Sequence, residues 1–326
     1  MVQTLGEYLR AVTEYLRTVP DKPAAEIAID SGLVRALLVA QALDDIPDAA
    51  DLPLVKIAEG WDSEVWRLGH AHAVRLPRRA LAAPLVRHEQ AVLPGVAEQL
   101  APTGVRVPLP VVDGVPAAGY PWPWSVVPWM EGERAMDESR AARGSWAPTL
   151  ARALDALHVD APEEYPMNPF RGVPLAGRSE AIAERFDALR AAGTLDAEAA
   201  TAFEDVWRRG LEAAPWDRPP VWIHGDLHPG NLVSHEGRLV GIIDFGDVTA
   251  GDPAYDLAVA WLAFDGAGRS RFIAAAGSHY DAAVWIRAHA WAAAVAAMLL
   301  AHSDDNPDYF ALGRDAATEV LADAAG

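Results

Sequence analysis

The sequence predicts an α+β protein, with a strand-rich N-terminal lobe and a mostly helical C-terminal lobe. Three observations lead there. Between Leu54 and Pro77 lie three brief apolar or alternating runs, LVKIA, EVWRLG and HAVRLP, separated by Gly, Asp and His, as in an antiparallel meander. Beyond residue 132, apolar side chains recur at helical spacing, as in Leu150, Leu154 and Leu157. Within that helical part, VWIHGD and RLVGIIDFG read as two short strands around one small hairpin.

The elements follow in order. Residues 1–20 read as an amphipathic helix with Leu5, Leu9, Val12 and Leu16 on one face. Residues 31–43 form a second, capped by Asp30 or Ser31. Pro23 and the 47–53 stretch punctuate this region. We therefore divide the chain into a helical extension (1–50), a strand-rich lobe (51–131) and a helical lobe (132–326). In the strand-rich lobe a helix is expected over 84–100, with Pro84 suited to its first turn. VPLPVVDG and SVVPWM supply two more strands, and GER (132–134) is a connector. Further helices are expected over 178–192 and 196–213. AYDLAVAWLAF and an alanine-rich helix over about 281–302 finish the chain.

Composition narrows the function. A net charge of −19 disfavours nucleic acid, whose phosphates need a positive surface. No apolar run approaches the roughly 20 residues that span a bilayer, and the N-terminus lacks a basic then apolar leader pattern. The expected location is cytoplasmic, with no membrane partner. The chain has no cysteine, which removes disulfides, thiolate zinc sites and a cysteine nucleophile.

The chemistry concentrates in HGDLHPGN, residues 224–231. His224 and His228 have the spacing of a helical zinc pair, but Gly225, Pro229 and Gly230 make a poor helix. A serine hydrolase would need a GxSxG elbow, and none occurs. Phosphoryl transfer uses more of the residues. It needs a carboxylate near the attacking hydroxyl, a second carboxylate on Mg2+ and usually an amide oxygen. Asp226 and Asn231 come from one loop, and Asp244 opens a literal DFG at the end of LVGIID. The short SHEGR turn suggests that all three converge at one end of a small sheet.

HGDLHPGN followed by IDFG and GDPAYDLA resembles the aminoglycoside phosphotransferase family, which has the protein-kinase-like two-lobe fold. HGD stands where protein kinases have HRD, and the Asp-to-Asn spacing agrees with their catalytic loop. The resemblance implies that Asp226 is the catalytic base or orienter and that Asn231 and Asp244 hold magnesium. It makes His224 and Asp256 supports of the loop, with His228 a loop or surface residue. Asp252 caps the next helix, with Pro253 at its first position.

The same resemblance places the donor, ATP or GTP, in the strand-rich lobe. Arg75 in HAVRLP stands where lysine is usual and would bind phosphate through its fork, positioned by Glu89. Lys56, the rival, is expected to be exposed. Gly60, in AEGWDSEVW (58–66), would lie in the nucleotide-covering loop. Trp129 or Met130 would offer a backbone N–H to the purine, because Pro128 has none. Trp122 and Trp124 are expected to pack rather than stack on a ligand.

Only five residues separate Gly246 from Asp252, too few for a protein-kinase activation segment. Extra helices in 160–218 fall where this family builds its acceptor pocket. They carry Glu180, Glu184, Asp187, Asp196, Glu198, Glu204 and Asp205, and Asp265, Asp281, Asp304, Asp305 and Asp308 follow. The implied acceptor is a small molecule with a hydroxyl group, cationic as an aminoglycoside is. The alternatives are a macrolide or small-metabolite kinase and, from another class, a nucleotide-binding regulator with weak catalysis.

Overall fold

The computed structural model describes residues 24–162, 165, 168–303 and 306–324. The helix expected over 1–20, Pro23, Asp304 and Asp305 lie outside them. The chain forms two compact units. One holds Met1–Gln99, Arg106–Glu131 and Ile243–Gly246; the other holds Leu100–Val105, Gly132–Ile242 and Asp247–Gly326.

The first unit begins with α1 (Ser31–Gln41), and the capping residue is Asp30, whose Oδ1 accepts from the Leu33 N–H at 2.8 Å. Then come β1 (Leu54–Glu59), β2 (Ser63–Leu68), β3 (His72–Pro77), α2 (Ala83–Leu100), β4 (Val112–Gly114) and β5 (Trp124–Pro128). The strands form one sheet in the order β1-β2-β3-β5-β4, and every neighbouring pair is antiparallel. The expected meander is β1 to β3. Along β2, Glu64, Trp66 and Leu68 turn inward and alternate with half-exposed residues, the period of two that a half-buried strand requires. VPLPVVDG shrinks to β4, because Pro108 and Pro110 have no N–H for the ladder.

Val34, Leu37 and Leu38 of α1 join Trp66, Leu68, Val74, Leu76 and Val126 of the sheet in one buried cluster. Trp124 is fully buried and donates its indole N–H to the Val115 carbonyl at 3.1 Å, while Trp122 packs edge-on to Tyr120. Both tryptophans are packing residues, as expected.

The second unit starts with β6 (Glu133–Arg134). This corrects the reading of GER as a plain connector, because the two residues pair with a later strand. α3 (Arg140–Arg143), α4 (Ala147–Leu157), α5 (Ser179–Ala191) and α6 (Ala197–Glu212) precede β7 (Val221–Ile223). β8 (Leu232–His235), β9 (Arg238–Ile242), β10 (Thr249–Gly251), α7 (Ala254–Leu257), α8 (Val259–Ala263), α9 (Gly266–Ala276), α10 (Ala282–His302) and α11 (Pro307–Ala324) complete it.

The hairpin turns at SHEGR, as expected, but the strand leading into it is not VWI. The partner of β9 is β8, directly after the HGDLHPGN loop, and VWI (β7) pairs instead with β10. The turn residues Glu236 and Gly237 both have positive φ, 50° and 72°, the twist that a two-residue hairpin turn needs. Helices α9 and α11 were not anticipated. The glycines that open α9 weaken its local signal.

The expectation that no apolar run approaches a membrane span also needs correction. α10 has 21 residues and is long and apolar enough by composition to cross a bilayer. It is a largely buried helix of this unit, packed by α5, α6, α7 and α11. Its alanines allow close approach. Gly210 of α6 lies so near Ala290 that an added Cβ would sit 2.4 Å from the alanine Cβ.

If α1 shares the core of the first unit, Leu38→Ala should cost about 2–5 kcal/mol in denaturant unfolding, the range for deleting a buried leucine. A loss below about 1 kcal/mol would place α1 outside the cooperative core.

Candidate functional site

In the first unit, Arg75 on β3 donates from Nη1 to both carboxylate oxygens of Glu89 on α2, at 2.5 and 2.6 Å. Its Nη2 lies 3.4 Å from Asp244 Oδ1. Burial alone would lower the Arg75 pKa, but the Glu89 and Asp244 carboxylates outweigh it and raise the value. Glu89 is itself buried and also accepts the Phe245 N–H at 3.2 Å. His88 bonds the Gly246 carbonyl at 3.1 Å. Consecutive residues of α2 thus hold the DFG segment by its backbone. Asp244 has φ 65°, a left-handed conformation that aspartate tolerates better than most residues, and its side chain is 55% exposed.

The other residues expected here are placed unevenly. Gly60 sits in the β1–β2 turn, bonds Ser63 O through its N–H, and accepts from Arg78 Nη1 at 3.0 Å. A Cβ there would lie 3.5 Å from its nearest neighbour, so the backbone does not require glycine. The Trp129 N–H already donates to the Ala71 carbonyl at 2.7 Å, which makes Met130 the better of the two expected donors. The Trp129 ring instead carries the Arg67 guanidinium, 4.1 Å from its centre. Lys56 is exposed, as expected, and is held by Glu59 at 2.7 Å and Glu64 at 2.8 Å.

In the second unit, HGDLHPGN fills the interval between β7 and β8. Gly225 is required there. Its φ is 82°, and a Cβ would lie 2.4 Å from the Asp247 carbonyl oxygen. The cause is the β7–β10 ladder, where Thr249 pairs with Ile223 and the two chains continue side by side.

The loop hangs on Asp256. This residue is fully buried in α7, and its two oxygens accept the N–H groups of His224 at 2.7 Å and Gly225 at 3.0 Å. His158, just after α4, reaches Asp256 Oδ2 with Nε2 at 3.1 Å and Tyr280 with Nδ1 at 2.8 Å. His224, also fully buried, accepts the Asp226 N–H on Nδ1 at 3.2 Å, so its proton sits on Nε2. Asn231 donates from Nδ2 to the Asp226 carbonyl at 2.8 Å and keeps its amide oxygen for another partner.

Of the two expectations for His228, loop or surface, the loop holds: the residue lies in it and is buried. Its Nδ1 accepts the Gly230 N–H at 3.0 Å, and Nε2 stands 3.7 Å from Asp226 Oδ2. The helix begins at Ala254 with Pro253 as its N-cap, one residue later than expected; Asp252, just before, accepts the Ala254 N–H at 3.0 Å and pairs with buried Arg287 at 2.7 Å.

No motif or spacing singles out Arg171. Its guanidinium touches Asp226 at 3.4 Å, Asp247 at 3.2 Å and the Tyr255 hydroxyl at 2.6 Å. Burial would raise the Asp226 pKa, but the Arg171 guanidinium foremost, then hydrogen bonding from His228, holds it well below the usual carboxylate range. Asp226 therefore stays charged and about one third exposed.

A profile of the phosphotransferase enzyme family matches residues 53–294, about three quarters of the chain. The protein belongs to that family. Aminoglycoside 3'-phosphotransferases of Escherichia coli and Salmonella typhimurium are each 40% identical over 58 residues, 18% of this chain. The match spans about a fifth (21%) of the length of these relatives. The fold is shared with solved phosphotransferases at low identity. The GDP complex of aminoglycoside 2'-phosphotransferase-IIIa is 20% identical with a TM-score of 0.62, over 87% of this chain and 97% of that one. Macrolide 2'-phosphotransferase type I is 20% identical with a TM-score of 0.53, over 89% and 97%.

Two outcomes are expected of this geometry. Asp256→Ala strands two buried N–H groups at about 1–3 kcal/mol each, and unfolding should register a loss of about 2–5 kcal/mol. The second concerns pH. The folded Asp226 value lies below its unfolded one, so the Arg171 ion pair stabilises above the unfolded pKa and is lost only as pH falls through the lowered folded value. In Arg171→Gln the acid limb of kcat/KM should move to higher pH. Superimposable pH–rate profiles would show that Arg171 does not set the charge of Asp226.

Proposed function

We propose that the protein transfers the terminal phosphoryl group of ATP or GTP to a hydroxyl group of a small molecule, with Mg2+. The observation that carries this reading is Asp226, a charged and partly exposed carboxylate on a loop fixed by Asp256, His224 and Asn231. The acceptor oxygen attacks the γ-phosphorus, the bond to the nucleoside diphosphate breaks, and the hydroxyl proton passes to Asp226. A carboxylate with so low a pKa is a weak base. It suits a loose transition state, in which orienting the hydroxyl matters more than early proton removal.

We assign donor binding to the first unit and acceptor chemistry to the second. Arg75, held by Glu89, is the phosphate-binding cation, and Met130 offers the purine an N–H. One phosphotransferase of similar fold was solved with GDP and another with ADP, which supports a nucleotide donor. For the metal, each unit by itself offers a hard oxygen donor of the kind that Mg2+ prefers, the exposed Asp244 carboxylate in the first and the Asn231 amide oxygen in the second. Among the described residues no group of three or more His, Asp or Glu side chains is arranged as a metal site. The ion would therefore keep water and phosphate ligands, and it would supply charge neutralisation on the transferring group. The names of the relatives put aminoglycosides first among acceptors to assay and macrolides second.

The test is release of ADP or GDP from Mg2+-nucleotide over a panel of hydroxyl acceptors. Asp226→Asn should lower kcat by about 10²–10⁴-fold and leave the nucleotide KM nearly unchanged. Arg75→Ala should raise that KM. Asp226→Asn turnover equal to wild type would overturn the role of Asp226.

A further inference from the structure

Arg171, Arg178 and Arg185 follow one another at intervals of seven residues in the second unit. Arg171 donates to the Tyr255 hydroxyl and lies 5.8 Å from its ring centre. Arg178, immediately before α5, stacks on Phe170 at 4.9 Å. Arg185 lies two turns further along α5. Positions 178, 182, 185 and 189 share one helix face, and Ile182 and Leu189 on it are buried. Arg178 and Arg185 are therefore only partly exposed and stand on the inner side of the helix.

Their charges are not balanced alike. Arg171 has Asp226 and Asp247. Arg178 and Arg185 have no carboxylate partner among the described residues. The carboxylates of α5 and α6 that form ion pairs do so with other arginines: Asp187 and Glu204 bind Arg190, and Asp205 and Glu212 bind Arg208. Burial, then repulsion from Arg171, holds Arg178 below the usual guanidinium range. Burial and the neighbouring Arg178 do the same to Arg185. In a chain of net charge −19, two partly buried and mutually repelling cations lack an ion-pair partner among the described residues. Such an arrangement costs free energy that an incoming anion would offset.

We infer that the acceptor carries an anionic group, a carboxylate or a phosphate ester, bound by Arg178 and Arg185 while its hydroxyl faces Asp226. The planar fork of arginine matches either group bidentately. This inference rests on the phosphotransfer reading and replaces the polyamine acceptor suggested by the relatives with a hydroxyl-bearing anion.

The test reads binding and turnover separately. With saturating Mg2+-ADP, inorganic sulfate is titrated into wild type and Arg178→Gln/Arg185→Gln, with sodium chloride at equal ionic strength as control. Sulfate should raise the wild-type Tm beyond the chloride control, and the double variant should lose that excess while keeping its response to Mg2+-ADP. Equal sulfate shifts in both proteins would overturn the inference. For turnover, hydroxy-carboxylates and sugar phosphates are set against kanamycin and neutral sugars. The expected result is turnover of a member of one anionic class, with acceptor KM raised at least tenfold in the double variant and nucleotide KM unchanged. Turnover of kanamycin at equal kcat/KM in both proteins would overturn the inference and leave phosphotransfer standing. An arginine-dependent sulfate shift without turnover of any acceptor would support the anion site and count against phosphotransfer.

Discussion

The HGDLHPGN loop depends on one buried carboxylate. Asp256 receives two successive backbone N–H groups, those of His224 and Gly225, and the His158 ring approaches the same group. A carboxylate without protons of its own can satisfy several donors at once, and a buried amide left unpaired costs about 1–3 kcal/mol. This fixes the loop at its first two residues. Gly225 then turns with positive φ beneath the Asp247 carbonyl, and the remaining bonds, from Asp226 to His224 and from Asn231 back to Asp226, are local. A histidine outside the loop is thus as much part of its architecture as the histidines within it.

The first unit uses the same device. Glu89 binds Arg75 with both oxygens and takes the Phe245 N–H with one of them. His88, next along α2, secures Gly246. The helix therefore sets the orientation of the basic residue and the path of the DFG segment together. Arginine in place of lysine fits this, since its fork reaches Glu89 and Asp244 from different nitrogens.

Charge counts proved a weak guide to the acceptor side. The carboxylates of α5 and α6 that pair do so with Arg190 and Arg208, while a half-buried arginine, Arg171, lies against Asp226. A chain can be strongly acidic overall and still present guanidinium groups where its chemistry occurs, because net charge describes the surface sum and not the placement.

Local sequence was enough for the meander, the principal helices and the candidate site residues of the second half. These rest on local rules: alternation along β2, apolar recurrence along α4, Asp30 before α1, and a short motif whose spacing is chemical. Asp226, Asn231, Asp244, Arg75 and Glu89 were legible because their residue types and order are demanding. The partner of β9 was settled by long-range contacts, because VWI and LVSH carry similar local signals. Tertiary packing alone also buried His228, occupied the Trp129 N–H, and brought Arg171 to Asp226 across 55 residues of chain. Arg171 lies between helices and belongs to no chemical motif. Its role comes from burial and from the company it keeps, and neither is written in local sequence.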